Sequence, residues 1–392
     1  MGMGTVTGFA SRAPRRRWVF GVAGCVTLAA GLLTGLSGVS SATPTMPRVA
    51  GPERIFAALS DSVAEINPAT GAVKLVAEHL PLLEQGPYLL VATPNGKTVY
   101  LVNMGAHDVV PFSIATGQPG SPIQVSGAQS ALLAPNGTLY VGGDGVLTPI
   151  STATNKAGAP IDAYGDPDSM AVTPDGRTLY VADGNNGDVV PISTATNTAG
   201  RPIRVGSGGT GVADGEGLAI APDGKTVWVL GDSGWVTPIS TATHRKGTPM
   251  GVSGSPVAIA ITPSGRTAYV VRNGNGFAAV SPLDLVTHRV GKSIPVPQLA
   301  EWITISPDGK TAYAGYLGGP VIPISTATNA KGPFFGWSQL TMAMAFGPSG
   351  TTAYTCGWKG VIPVSTTTDQ LGPTLYDPGE GSRPCWAIVV TH

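Results

Sequence analysis

Short apolar runs alternate with clusters of turn-forming residues along most of the chain, and the stretch from residue 170 to 205 shows the pattern in full. MAVT reads as a short apolar strand, A. In PDG, Pro174 presets φ for a tight turn and Gly176 takes its left-handed position. LYVAD is strand B, GNNG a hairpin turn and DVVPIS strand C. TATNTAG turns the chain again into RPIRV, a polar outer strand D. Four strands this short cannot bury both faces of their sheet alone, so each unit must stack on neighbours.

The neighbours are copies. PNGKTVY, PNGTLY, PDGRTLY, PDGKTVW, PSGRTAY, PDGKTAY and PSGTTAY place their prolines at 94, 135, 174, 222, 263, 307 and 348, about 42 residues apart, the length of one four-stranded propeller blade. A second motif follows each, PISTATN in its commonest form, beginning at Pro111, Pro149, Pro191, Pro238, Pro282, Pro323 and Pro363. The two ends of the repeat supply the count. IFAAL, SVAEINPATG and AVKLV look like strands B, C and D without an A, while WAIVVT, 386 to 391, looks like an A with nothing after it. The sequence therefore predicts an all-β protein: a closed β-propeller of four-stranded blades over residues 54 to 392, its C-terminal strand completing the N-terminal blade. Eight blades are expected, with seven the alternative if one weak unit is not a blade. Closure also removes the exposed sheet edge. The shared blade is blade 1, and blades 2 to 8 follow in chain order.

Composition narrows function more than fold. Of 392 residues 55 are Gly and 35 Pro, which argues against a helical bundle, and 42% hydrophobic residues are too many for a disordered tail. Lys plus Arg equals Asp plus Glu at 23 each, so the basic excess of a nucleic-acid binder is missing. Arg12, Arg15, Arg16 and Arg17 precede an apolar stretch from Trp18 to Leu36 and then small residues, the layout of a secretory signal cut after Ala42. Residues 43 to 53 read as a short linker. RRRWVF leaves the Sec and twin-arginine routes both open, and an uncleaved anchor or a lipoprotein box at Cys25 competes for the same segment. No membrane association is expected beyond it.

The recurring (I/V)TPDG(K/R)TxY(V), followed by VxPISTATN and an xPIxVG strand, resembles the YVTN-repeat β-propeller family of secreted and surface proteins in bacteria and archaea. Tyr180-Val181-Ala182-Asp183 and Tyr269-Val270-Val271-Arg272-Asn273 approximate the tetrapeptide that names it. The resemblance covers nearly all of the chain after the signal. It implies a propeller outside the cytoplasm, secreted or wall-associated, and no single reaction: the family includes surface-layer and binding proteins, and related propellers include lactonases and lyases. Strand C departs from the pattern, with Pro-Ile-Ser where the family more often has an Asp, kept here at Asp284.

In a propeller, strand A lines the central channel, so A–B and C–D turns share one face while B–C loops and D–A links share the other. The first face collects Lys and Arg, among them Lys97, Arg177, Arg245 and Lys246; the second collects most of the Asp and Glu. The charge is expected to be lopsided. Trp235, Trp302, Trp337, Trp358 and Trp386 map to the acidic face, either as an aromatic platform for a sugar, peptide or cationic group or as packing between blades. Glu84, Glu216, Glu301 and Glu380 lie in D–A links at the channel mouth, where carboxylates can hold Ca²⁺. No other cofactor is expected. The one long insertion, Gly206 to Gly217, lies on the same face and lacks the Lys-Ser or Lys-Thr of a phosphate loop.

After signal removal two cysteines remain, Cys356 in strand B of blade 8 and Cys385 at the start of the closing strand. Adjacent blades bring them to one face, so a disulfide across the ring seam is expected. Three functional readings follow. The first is a secreted or wall-associated binding or scaffold module, monomeric, using its acidic, Trp-bearing face on a cell-surface glycan, peptide or protein. The second is a metal-dependent enzyme of lactonase or lyase type at the channel mouth; the third is a structural surface protein without a small ligand. No GxSxG elbow or S-x-x-K nucleophile appears, and the balance leans away from an enzyme.

Overall fold

The computed structural model describes residues 53–59, 62–77, 88–183, 186–206, 217–231, 234–274, 277–296, 300–315, 318–336, 341–377 and 385–391. The signal and nearly all of the linker lie outside them. Every regular element among the described residues is a β-strand, and the strands form eight antiparallel sheets, each running A-B-C outward and most continuing to D. Eight blades, not seven, make the ring. Blade 1 is shared: Ala387–Thr391 pairs with Arg54–Ala58, from Arg54↔Thr391 to Ala58↔Ala387, and Val63–Ile66 and Val73–Ala77 follow as C and D.

Each blade is sandwiched between two others, so its middle strands are buried on both faces. Strand B of blade 4, Thr178–Asp183, is buried from Leu179 to Asp183 without alternation. That is why LYVA reads as a continuous apolar run. The core is accordingly a set of layers between blades. Val102 and Val109 of blade 2 meet Leu139 and Val141 of blade 3, and Leu101 and Phe112 of blade 2 meet Phe56 and Ala58 of blade 1. Each of the Val, Leu and Phe side chains contributes about 1.5–3 kcal/mol on leaving water.

The repeat motifs hold these layers in register. Within a blade, the Thr of PIST donates its hydroxyl to the carbonyl of the A–B turn glycine, as Thr241 does to Gly224 at 2.7 Å and Thr326 to Gly309 at 2.6 Å. The same glycine touches the preceding blade: a Cβ built on Gly176 would lie 3.2 Å from Cβ of Pro135, and one on Gly224 3.1 Å from Cδ of Pro174. The PDG turns thus stack proline to glycine from blade to blade. Farther out, the strand B tyrosine reaches the C–D turn of the following blade. Tyr100 donates to Asn155 Oδ1 at 2.5 Å, Tyr140 to Asn197 at 2.7 Å, Tyr269 to Asn329 at 2.7 Å and Tyr313 to Asp369 at 2.8 Å. Tyr180 meets His244 Nδ1 at 3.0 Å, and Trp228 meets His288 edge-on at 5.6 Å between ring centres. All these partners have left-handed backbones, φ 53–58°, which Asn, Asp and His tolerate.

Strand C carries proline in a central position, where the missing N–H removes a ladder bond. Strand D answers by bulging. In blade 4 it is split into Thr198–Ala199 and Ile203–Arg204, with Gly200 between them donating to the Pro191 carbonyl at 2.7 Å. In blades 7 and 8 the outer segment keeps only isolated bridges, such as Ile324↔Lys331 and Val364↔Leu371.

The expected disulfide is present. Cys356 in strand B of blade 8 bonds Cys385, two residues before the closing strand, with Cα atoms 5.4 Å apart. It joins blade 8 to the closing strand A of blade 1.

Candidate functional site

Each tryptophan is placed by its strand. Trp235 opens strand C of blade 5 (Trp235–Ser240), after a tight turn at Gly234, and its register partner in strand D is Gly251. The absent Cβ lets the indole lie on the backbone: a Cβ at Gly251 would stand 3.3 Å from Trp235 Cζ3. The ring keeps 48% exposure. Trp358 sits with Lys359 in the hairpin between Gly357 and Gly360 of blade 8 and is 47% exposed.

The other positions differ. Trp302 is 2% exposed, packed among Tyr313, Val321 and Phe335 over Gly315, so burial withdraws it from any surface platform. Trp386 is half-buried against the cluster that holds Phe56 and Ala58, and its amide bonds Ala58 O. Trp337 lies outside the described residues. Trp235 and Trp358 therefore form no single platform, because blades 6 and 7 stand between them.

The proposed calcium ligands are largely beyond view: Glu84, Glu216 and Glu380 lie outside the described residues, as do residues 207–216 of the long insertion. Glu301 is exposed, with its amide bonded to Gly315 O. Among the described residues no group of three His, Cys, Asp or Glu is placed to hold a metal ion.

Two acids of the B–C face, Asp183 and Asp108, turn inward. Asp183 is buried and takes hydrogen bonds from the Asn186 amide and side chain, with room for its carboxylate made by Gly165. Asn103 does the same work in blade 2, accepting from the Gly105 and Ala106 amides at 3.1 and 3.2 Å. Burial pushes the Asp108 carboxyl up, against the opposing pull of His107. On the other face, the PDG aspartates face the cations that follow them: Asp175–Arg177 at 3.9 Å, Asp223–Lys225 at 4.0 Å and Asp308–Lys310 at 3.2 Å. The charge contrast between faces is thus smaller than the basic and acidic positions alone imply. The exposed pairs add little stability, but the turns are firm. The Thr173 hydroxyl and the Arg177 amide hold Asp175 below the usual carboxylate range.

One concavity lies elsewhere, on the outer rim. A groove of about 840 Å³ runs between strand D of blade 4 and the C–D turn of blade 5, with Arg201, Arg204, His244, Arg245 and Lys246 in its lining. Reading strand D as merely polar missed it. The signal was available in the alignment of the repeats, where no other unit places two arginines in strand D.

Eight radial four-stranded units closed on a shared first blade define a β-propeller. The hydrazine synthase structure of Kuenenia stuttgartiensis is similar, with a TM-score of 0.58 and 18% identity over 72% of this chain and 96% of that one. At that identity the likeness concerns the fold alone. No family model matches the chain, and no curated protein matches it. The resemblance to YVTN-repeat propellers thus rests on the repeat motifs.

Proposed function

We propose that the protein is an exported binding propeller whose ligand, a cell-surface glycan or peptide, stacks on the face bearing the B–C loops, at Trp235 first. The observation that carries this reading is the seat of that ring. It is half exposed over a glycine backbone, whereas Trp228 and Trp302 are 3% and 2% exposed. An indole braced from below and open above offers a flat, rigid surface to a sugar ring, a proline or a cationic group. Trp358 supplies a second, separate contact on blade 8, which suits an extended ligand more than a small one. Export is supported by the signal-like segment and by the Cys356–Cys385 disulfide, a bond that persists in oxidising compartments.

Retention of the purified protein on insoluble bacterial cell-wall material tests the reading. Trp235→Ala is expected to lower affinity about tenfold, with Trp235→Phe retaining most of it and both unfolding at the wild-type temperature. Undiminished retention of Trp235→Ala would reject Trp235 as the site.

A further inference from the structure

The groove between blades 4 and 5 has a chemistry that the repeat does not require. We infer that it is a binding site for a linear anionic carbohydrate polymer, one whose charges are uronate carboxylates or phosphodiesters. This inference stands apart from the Trp235 reading, since it concerns the outer rim and a ligand of opposite demand.

The repeat supplies its own control. Four positions face each seam from the outer edge: two in strand D, where blade 4 has Arg201 and Arg204, and two in the next C–D turn, where blade 5 has Arg245 and Lys246. The seam between blades 3 and 4 has Ala159, Asp162, Thr198 and Ala199 in those places, and the seam between blades 6 and 7 has two cations, Lys292 and Lys331. Four cations converge at the blade 4–5 seam alone. Fold maintenance does not explain them, because blades with neutral residues at these positions close their seams equally.

The four are exposed, and none has a carboxylate within ion-pair distance among the described residues. Unpaired like charges held together along a groove repel one another, and an anionic ligand relieves that repulsion. The geometry favours a chain over a point ion. Strand D from Thr198 to Arg204 lies opposite Ser193 to Asp188 and spans about 17 Å at the usual rise per residue, with Arg245 and Lys246 lining the groove from the neighbouring turn. Guanidinium groups bind carboxylate and phosphate in a two-pronged fashion. The remaining lining, Thr178, Ser193, Thr198 and Thr243, offers hydroxyls suited to a sugar. Recognition of an acidic peptide fits less well. Pro202 has no amide to donate to an added strand, and no Phe, Tyr or Trp is among the groove's lining residues to anchor a side chain.

Calorimetric titration at low ionic strength tests this, using a hexagalacturonate, a glycerol-phosphate oligomer of equal charge and hexaglutamate as three separate probes. Binding of either of the first two is expected, and which one binds more tightly identifies the anion. Arg201→Ser/Arg245→Ser is expected to weaken it about tenfold or more, and added salt to weaken it further. Lys292→Ser/Lys331→Ser removes the same charge from the blade 6–7 seam and should leave binding unchanged. All four positions are exposed, so both variants should keep the wild-type unfolding temperature. The inference is overturned by failure of both carbohydrate probes to bind, by equal weakening in the two variants, or by equal binding of hexaglutamate.

Discussion

The tyrosine hydroxyls of strand B each cross a seam, and the exceptions show how strictly the link is kept. At the blade 1–2 seam, Phe56 stands at the tyrosine position and Gly117 at the asparagine position, so donor and acceptor are lost together. Arg54 replaces them. Held by Glu65 at 3.0 Å, it bonds the Ile114 carbonyl at 3.1 Å, the place where Tyr269 also touches Thr326 O. At the blade 8–1 seam Gly71 has no side chain to offer, and Tyr354 faces Glu53; burial and then that carboxylate push its phenol up. Burial pushes Tyr180 up to about 12, so the links stay protonated across the neutral range.

Asp369 is the costly member of the set. Burial raises its carboxyl above the ordinary value, while the Tyr313 hydroxyl pulls it partly back. A group raised on folding contributes stability below its unfolded pKa and loses it as pH climbs through the folded one. Asp369→Asn, the residue three other turns use, keeps the acceptor and removes the charge. It is expected to raise the melting temperature by about 1–2 °C at neutral pH, and the gain should vanish below about pH 4. A gain that persists in acid would exclude charge burial as its cause.

At the scale of the element, the PDG turn does two jobs that can be separated. Gly71 and Gly176 share a left-handed backbone, φ 69° and 70°, but a Cβ at Gly71 meets nothing within 4 Å and one at Gly176 meets Pro135. Gly71→Ala should cost about 1 kcal/mol, the penalty for the conformation. Gly176→Ala should cost clearly more by chemical denaturation, because it also pushes two blades apart; equal costs would mean that the proline contact is slack. Strand order, turns and the shared blade were legible in the sequence because each is written within a few residues. The partners of Tyr100 or Tyr140 were not, since they lie more than fifty residues away and are chosen by stacking. The inward turn of Asp183 escaped for the same reason, since it depends on Gly165 of a neighbouring segment, whereas the burial of Trp302 over Gly315 is the packing alternative that the sequence left open. The rim groove escaped because each of its halves looks ordinary, and only their apposition concentrates charge.

At the scale of the molecule, the break in strand order falls inside blade 1, between its strands A and B, and the closing strand is held on both sides. The closing strand hydrogen-bonds to Arg54–Ala58, and the Cys356–Cys385 bond ties blade 8 to the same blade. The disulfide closes a loop with a sequence separation of 29 residues and is worth about 3 kcal/mol by chain entropy. Cys356→Ser/Cys385→Ser should lower denaturation free energy by about that amount while leaving the sheet signature of the circular dichroism spectrum intact. An unchanged midpoint would mean that packing alone holds the closing strand to blade 8.

The pairing of Arg54 with Thr391 also sets a timetable. A chain made from its N-terminus can form the hairpins of each blade as they emerge, since these are local contacts. Blade 1 must wait, holding three strands with an open inner edge, until Ala387–Thr391 has been made. Over that interval the unpaired edge of Arg54–Ala58 is open to wrong partners. Closure cannot precede Thr391, so a chain that has to pass a narrow pore unfolded meets no finished ring until that residue is made.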